Sequence, residues 1–182
     1  MQRKVVVILP ERRDDEVHAL FHSGYAETAS GDPHAFITNG TTMTDLGTLG
    51  GTGSEGYAIN ASGQVTGQAG TGGTEDFSHA FLYSNGVMTD LGTAGGYSSG
   101  GVAINSSGQV TGSNLTQNTG YAEHAIVYTG GAMKDLNSLI PPEQAAKFTL
   151  IEGVAINDNG QILVSGVINS SNANRVFLLT PR

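Results

Sequence analysis

The chain contains no Cys and no Trp. Without a thiol it can build no disulfide scaffold, no thiolate metal site and no Cys nucleophile. Basic residues are scarce: Lys and Arg total 8 against 16 Asp and Glu, for a formal net charge of −8. They also sit at the two ends, as Arg3, Lys4, Arg12 and Arg13, then Lys134, Lys147, Arg175 and Arg182. From Val17 to Met133 there is no Lys or Arg, while Glu27, Asp32, Asp45, Glu55, Glu75, Asp76, Asp90 and Glu123 fall in that stretch. Phosphate backbones and anionic lipid surfaces need cations to neutralise them, so nucleic acid and membrane surfaces are not expected partners.

Long apolar runs are missing too, and none approaches the ~18 residues of a membrane-spanning helix. Residues 1–10, M-Q-R-K-V-V-V-I-L-P, have a basic start but neither the apolar length nor the small-residue cleavage site of a signal peptide. Residues 5–9 read as a short strand or an adventitious leader. No Walker loop, H-E-x-x-H or dinucleotide fingerprint occurs. Gly96-Tyr97-Ser98-Ser99-Gly100 matches G-x-S-x-G. That pattern needs a strand-to-helix turn to present its Ser, and no helix is expected after it.

Glycine is what the chain has in abundance, 27 of 182 residues. That is about twice ordinary usage and argues against a helical bundle, since Gly costs about 1 kcal/mol per helical position relative to Ala. With 38% hydrophobic residues the chain is too apolar to be disordered. A turn-rich, all-β domain is expected.

The sequence repeats. G-Y-A-I-N-A-S-G-Q-V-T-G begins at Gly56 and G-V-A-I-N-S-S-G-Q-V-T-G at Gly101; G-V-A-I-N-D-N-G-Q-I begins at Gly153. H-A-F or H-A-I starts at His34, His79 and His124, 45 residues apart, and Asp45, Asp90 and Asp135 keep the same interval. Asn60 and Asn105 are also 45 apart, with Asn157 a further 52 on. The extra residues fall in 137–151, where Pro141 and Pro142 precede helix formers and predict one short helical turn. Within the complete unit the strand-sized pieces are 56–60, 64–69, 79–84 and 87–93. Ser62-Gly63, the Gly70–Gly73 stretch, Asn85-Gly86 and Gly95-Gly96 mark the turns between them. By the two-residue strand period, His79, Phe81 and Tyr83 share a face. Four short strands per unit of about 45 residues is the pattern of a β-propeller blade.

The G-x-A-I-N-x-x-G-Q-V unit, followed by H-A-F and M-x-D-L-G-T-x-G-G, resembles the bacterial extracellular repeat family named for its His-Ala-Phe (HAF) motif. The resemblance runs from about Gly24 to the C-terminus. In R-V-F-L-L-T-P, Arg175 stands where that family's His is expected. It implies a propeller-like fold and an extracellular or cell-surface location, and no particular reaction.

The units are expected as a degenerate segment 1–23 and a repeat domain 24–182, divided into a partial blade 24–55, blades 56–100 and 101–152, and a partial blade 153–182. The first unit lacks its G-x-A-I-N strand and a clear G-Q-V strand, and the last lacks M-x-D-L. Residues 43–46 are one source for that missing outer strand. The sum is 14 strands, so a homodimer sharing one ring would hold 28, or seven blades.

Side chains that recur in every unit, His34, His79, His124 and their Asp and Asn counterparts, are expected to make the same structural hydrogen bonds in each. Asp32, Glu75, Asp76 and Glu123 depart from the repeat ahead of the H-A-F strand. They are the candidate ligands for Ca²⁺, which takes about 6–8 oxygens. A catalytic site would draw on Asp32, Asp76, Glu123, His79 and His124. His18 and His22 lie outside the repeat. The expected role is a non-catalytic binding or structural module for a carbohydrate, peptide or protein partner. The alternative is a metal-dependent hydrolase of small lactones or esters at the propeller opening, polarising the carbonyl and activating water through Ca²⁺.

Overall fold

A computed structural model of the chain describes residues 6–8, 22–73, 77–116 and 122–181. These form four small antiparallel sheets. Sheet one orders β1 (Val6–Ile8), β2 (His22–Glu27), β3 (Pro33–Thr38) and β4 (Met43–Asp45). Sheet two holds β5 (Ser54–Ile59), β6 (Val65–Gly70), β7 (Ser78–Ser84) and β8 (Val87–Asp90). Sheet three holds β9 (Gly96–Ile104), β10 (Val110–Thr116), β11 (Glu123–Thr129) and β12 (Ala132–Asp135). Sheet four has three strands, β13 (Phe148–Ile156), β14 (Ile162–Ile168) and β15 (Ala173–Leu179). A 3-10 turn, Leu136–Ser138, and the short helix α1 (Pro142–Ala145) occupy the expected insertion, with Pro at its start.

Each sheet is a meander because its turns are built for tight reversal. Asn85 and Gly86, at φ +53° and +84°, join β7 to β8 in the left-handed conformation a two-residue hairpin requires. The sheets then stack in chain order, each packing on the next. Between sheets one and two lie Ala35, Leu46, Val65, Ala69 and Phe81; between two and three, Ala80, Leu91 and Val110. Between three and four lie Ala125, Val127, Leu136, Leu150, Ile162 and Val164. An inner sheet is therefore covered on both faces. Phe81 and Tyr83 pack towards sheet one while Ala80 and Leu82 pack towards sheet three, which is why the H-A-F strand is apolar at consecutive positions.

Close stacking requires the repeat's small residues. A Cβ on Gly101 would stand 2.2 Å from Thr66 Oγ1, and one on Gly153 would stand 1.8 Å from Thr111 Oγ1. Both threonines are fully buried and donate to main-chain oxygens, of Phe81 and Ile126, at 2.7 Å. The first G of G-x-A-I-N and the T of G-Q-V-T thus fit each other across neighbouring sheets.

The strand count differs from the sequence expectation: 15 strands in the described residues, divided four, four, four and three. The first unit does have its two inner strands. β2 carries His22-Ser23-Gly24 in place of Val65-Thr66-Gly67, and Gly24 pairs with Phe36 as Gly67 pairs with Phe81. Small size at two positions suffices for that strand, and the rest of the motif is dispensable. Met43–Asp45 pairs with β3 of its own sheet, so it does not complete the last unit. With four sheets per chain, two chains would bring eight sheets and not seven.

Candidate functional site

The recurring polar side chains hold the framework together. His34, His79 and His124 point Nδ1 at the carboxylates of Asp45, Asp90 and Asp135, at 2.9, 3.0 and 2.7 Å. Each pair ties the third strand of a sheet to the fourth. The same carboxylates accept from the main-chain N–H groups of Gly47, Gly92 and Asn137 at 2.7–2.8 Å, closing the turn that leaves the strand. Ser54 Oγ accepts from Ala35 N–H and donates to the Gly47 carbonyl, and Ser99 repeats this with Ala80 and Gly92.

The asparagines form a ladder between sheets. Asn60 Oδ1 accepts from Ser62 and Gln64 N–H, while its Nδ2 donates to Gln64 Oε1 and to the Asn105 carbonyl of the next unit. Asn105 repeats the pattern and donates to the Asn157 carbonyl at 3.1 Å. Asn157 makes the same bonds within its unit, and among the described residues its Nδ2 donates to Gln161 Oε1 without a link to a further unit.

The side chains that vary between units gather elsewhere. The first strands of sheets two, three and four each carry an irregularity at the same place, so that Tyr57, Val102 and Val154 fall outside the pairing register. Such a bulge turns its extra residue out of the ladder. Here it lines a cleft of about 410 Å³ with Tyr57, Gln68, Phe77, Ser98, Ser113, Val102, Glu123 and Glu152. Tyr57 Oη donates to Glu55 Oε2 at 2.6 Å. Burial, and then the adjacent Glu55 carboxylate, raise the phenol's pKa well above its usual 10. Phe77 meets Tyr97 at a centroid distance of 5.4 Å beside the cleft.

Of the candidate residues, Glu123 lines this cleft. His79 and His124 are held by their Asp partners on the third and fourth strands. Asp32 accepts from Ser30 Oγ at 2.8 Å in the β2–β3 turn, as a turn acid. Glu75, Asp76 and His18 lie outside the described residues. Among the described residues no three His, Asp or Glu side chains come together as metal ligands. Ser98 lies within β9, in strand conformation with no helix following it, and not on a strand-to-helix turn. Glu55, Tyr57, Gln68 and Glu152 were not singled out by the sequence. The signal available for them was their variation at fixed repeat positions: Glu55, Gly100 and Glu152 are equivalent, as are Tyr57, Val102 and Val154.

A second open surface is the outer side of sheet four. Val176 and Leu178, each 63% exposed, occupy the places of Ala80 and Leu82, which are covered by sheet three. Leu163, 40% exposed, pairs directly with Leu178, and Val154, at the bulge next to Leu163's other partner Ala155, is also exposed. A shallow cleft of about 510 Å³ lies on this sheet beside Ile151, Ser165, Gly166, Arg175 and Val176.

Comparison with protein-family models, with curated proteins and with solved structures finds no match to this chain.

Proposed function

We propose that the chain is a non-catalytic binding module of the HAF-repeat type, its four sheets being successive blades of a β-propeller arc, working outside the cell or at its surface. The Tyr57 cleft is its ligand site. The observation that carries this reading is a division of labour among the side chains: the recurring His, Asp, Asn and Ser residues are engaged in joining strands and sheets, whereas Tyr57, Gln68, Phe77 and Glu123, which line the cleft beside the framework Ser99, are replaced at the equivalent positions of the other units. Hydroxyls of Ser98 and Ser113, the Gln68 amide, the carboxylates of Glu123 and Glu152 and the ring of Phe77 suit a polyhydroxylated, uncharged ligand. Carboxylates accept from sugar hydroxyls, and an aromatic ring packs against the apolar face of a sugar. A carbohydrate therefore fits better than an anionic ligand, and a peptide is the next class.

A second copy of the chain covers the outer side of sheet four. The template for this contact is internal, since the equivalent sides of sheets one to three are each covered by another sheet of the same kind. Such a pair would share the ring.

Titration calorimetry against a panel of neutral oligosaccharides tests the ligand reading. Saturable binding weakened at least tenfold by Glu152→Ala or Gln68→Ala is expected. Turnover of a small lactone or nitrophenyl ester that requires Ca²⁺ and stops with chelator would overturn it in favour of a hydrolase using Glu75, Asp76 or Glu123.

A further inference from the structure

The outer edge of β15 has no partner strand among the described residues, although β3, β7 and β11 each have one. That edge has a specific shape. In sheet two, Phe81 pairs with Asp90, Leu82 with Thr89 and Tyr83 with Met88, and Leu91 N–H donates to the Ala80 carbonyl at 2.9 Å. Sheet one repeats the register, with Phe36 opposite Asp45 and Leu46 N–H on the Ala35 carbonyl. β15 runs through the same positions: Arg175 is opposite Gly166 as His79 is opposite Ala69, and Phe177 is opposite Val164 as Phe81 is opposite Gly67. A strand of pattern Met-x-Asp-Leu added at β15 would thus place its Asp opposite Phe177 and its Leu N–H on the Val176 carbonyl.

The register then decides what meets the incoming carboxylate. In the first three sheets it is a His on the third strand. In sheet four it is Arg175, which is exposed and whose guanidinium donates, among the described residues, to the neighbouring Asn174 carbonyl at 2.8 Å. Arg presents a planar fork that a carboxylate engages through two parallel bonds, which an imidazole cannot do. The edge itself is seven residues long and bears two largely exposed apolar side chains, Val176 and Leu178, with no Pro or Lys to block pairing.

We propose that the edge of β15 is a strand-addition site for an extended segment of a partner polypeptide with the pattern Met-x-Asp-Leu, its Asp held by Arg175. Among the described residues the strands of this pattern, β4, β8 and β12, are already paired in their own sheets, so none of them need be unpaired if the segment belongs to a separate polypeptide, the occupant assigned to this edge. The site uses the edge of sheet four, whereas the second-copy contact uses its outer side.

A labelled peptide with the sequence of residues 85–93, N-G-V-M-T-D-L-G-T, is the probe. Added to the intact chain, it should bind saturably and slow amide exchange along β15. Arg175→Ala, or Asp→Asn in the peptide, should weaken binding at least fivefold, and the two changes together should cost little more than either alone. Absence of saturable binding would overturn the proposal, and so would binding that neither change alters. Running the same titration on Leu163→Ser, a change on β14 away from the edge strand, separates it from the second-copy contact: that variant should lose self-association and keep the peptide.

Discussion

Asn105 carries more of the framework than its size suggests. Its amide closes its own turn with three bonds and reaches the Asn157 carbonyl of the next unit, and it is almost wholly buried. Each buried polar group left unsatisfied costs about 1–3 kcal/mol, so Asn105→Ala should lower stability by about 2–4 kcal/mol. Asn157→Ala removes the same local bonds at an exposed site without the link onward, and should cost about 1 kcal/mol. Urea unfolding of the two variants measures the difference, and equal losses would contradict the ladder. Tyr57 gives a pH-dependent counterpart. The folded chain holds the phenol proton above the pH of about 10 at which an unfolded chain releases it. There the unfolded state binds fewer protons, so stability falls as pH rises past about 10. Tyr57→Phe should flatten that fall, read as the change in urea midpoint between about pH 9 and pH 11.

At the scale of the element, the fit of glycine against threonine sets the distance between sheets. Gly153→Ala would push a methyl group into Thr111 Oγ1, and overpacking of this kind costs about 1–3 kcal/mol. Thr111→Ala in the same chain should recover part of that loss, so the double variant should be more stable than the sum of the single changes, a coupling that thermal unfolding detects. These elements were largely legible in the sequence. The Asn85-Gly86 hairpin, the H-A-F strand with Phe81 and Tyr83 on one face, and the helical turn at Pro142 follow from local chemistry that acts within a few residues. The pairing of β1 with β2 was not legible, because Ser23-Gly24 meets the packing requirement by size alone and shares little else with Thr66-Gly67. The cleft was hidden for a related reason. Glu55, Tyr57 and Gln68 come together through a bulge and a cross-strand register, and only Glu123 among its lining residues stood out as an acid breaking the repeat.

At the scale of the whole molecule, the stack is unequal at its ends. Phe36 in sheet one is 2% exposed, while Val176, Leu178, Leu163 and Val154 leave an apolar surface at the other end. Leu163 also replaces the threonine of the earlier units, so the close Thr–Gly contact cannot recur there and the covering surface must accommodate a branched apolar side chain. Burying such side chains contributes about 25 cal/mol per Å² removed from water, which favours a partner over solvent. The absence of Lys and Arg from Val17 to Met133, with Glu123 and Glu152 in the cleft, disfavours an anionic ligand and agrees with the neutral one proposed above. The central claim is that four sheets form part of a ring which a second copy completes, and the molar mass in solution tests it most directly. Light scattering at micromolar concentration should give twice 18.7 kDa for the natural chain and 18.7 kDa for Leu178→Ser. A natural chain that remains at 18.7 kDa across that range would contradict the account.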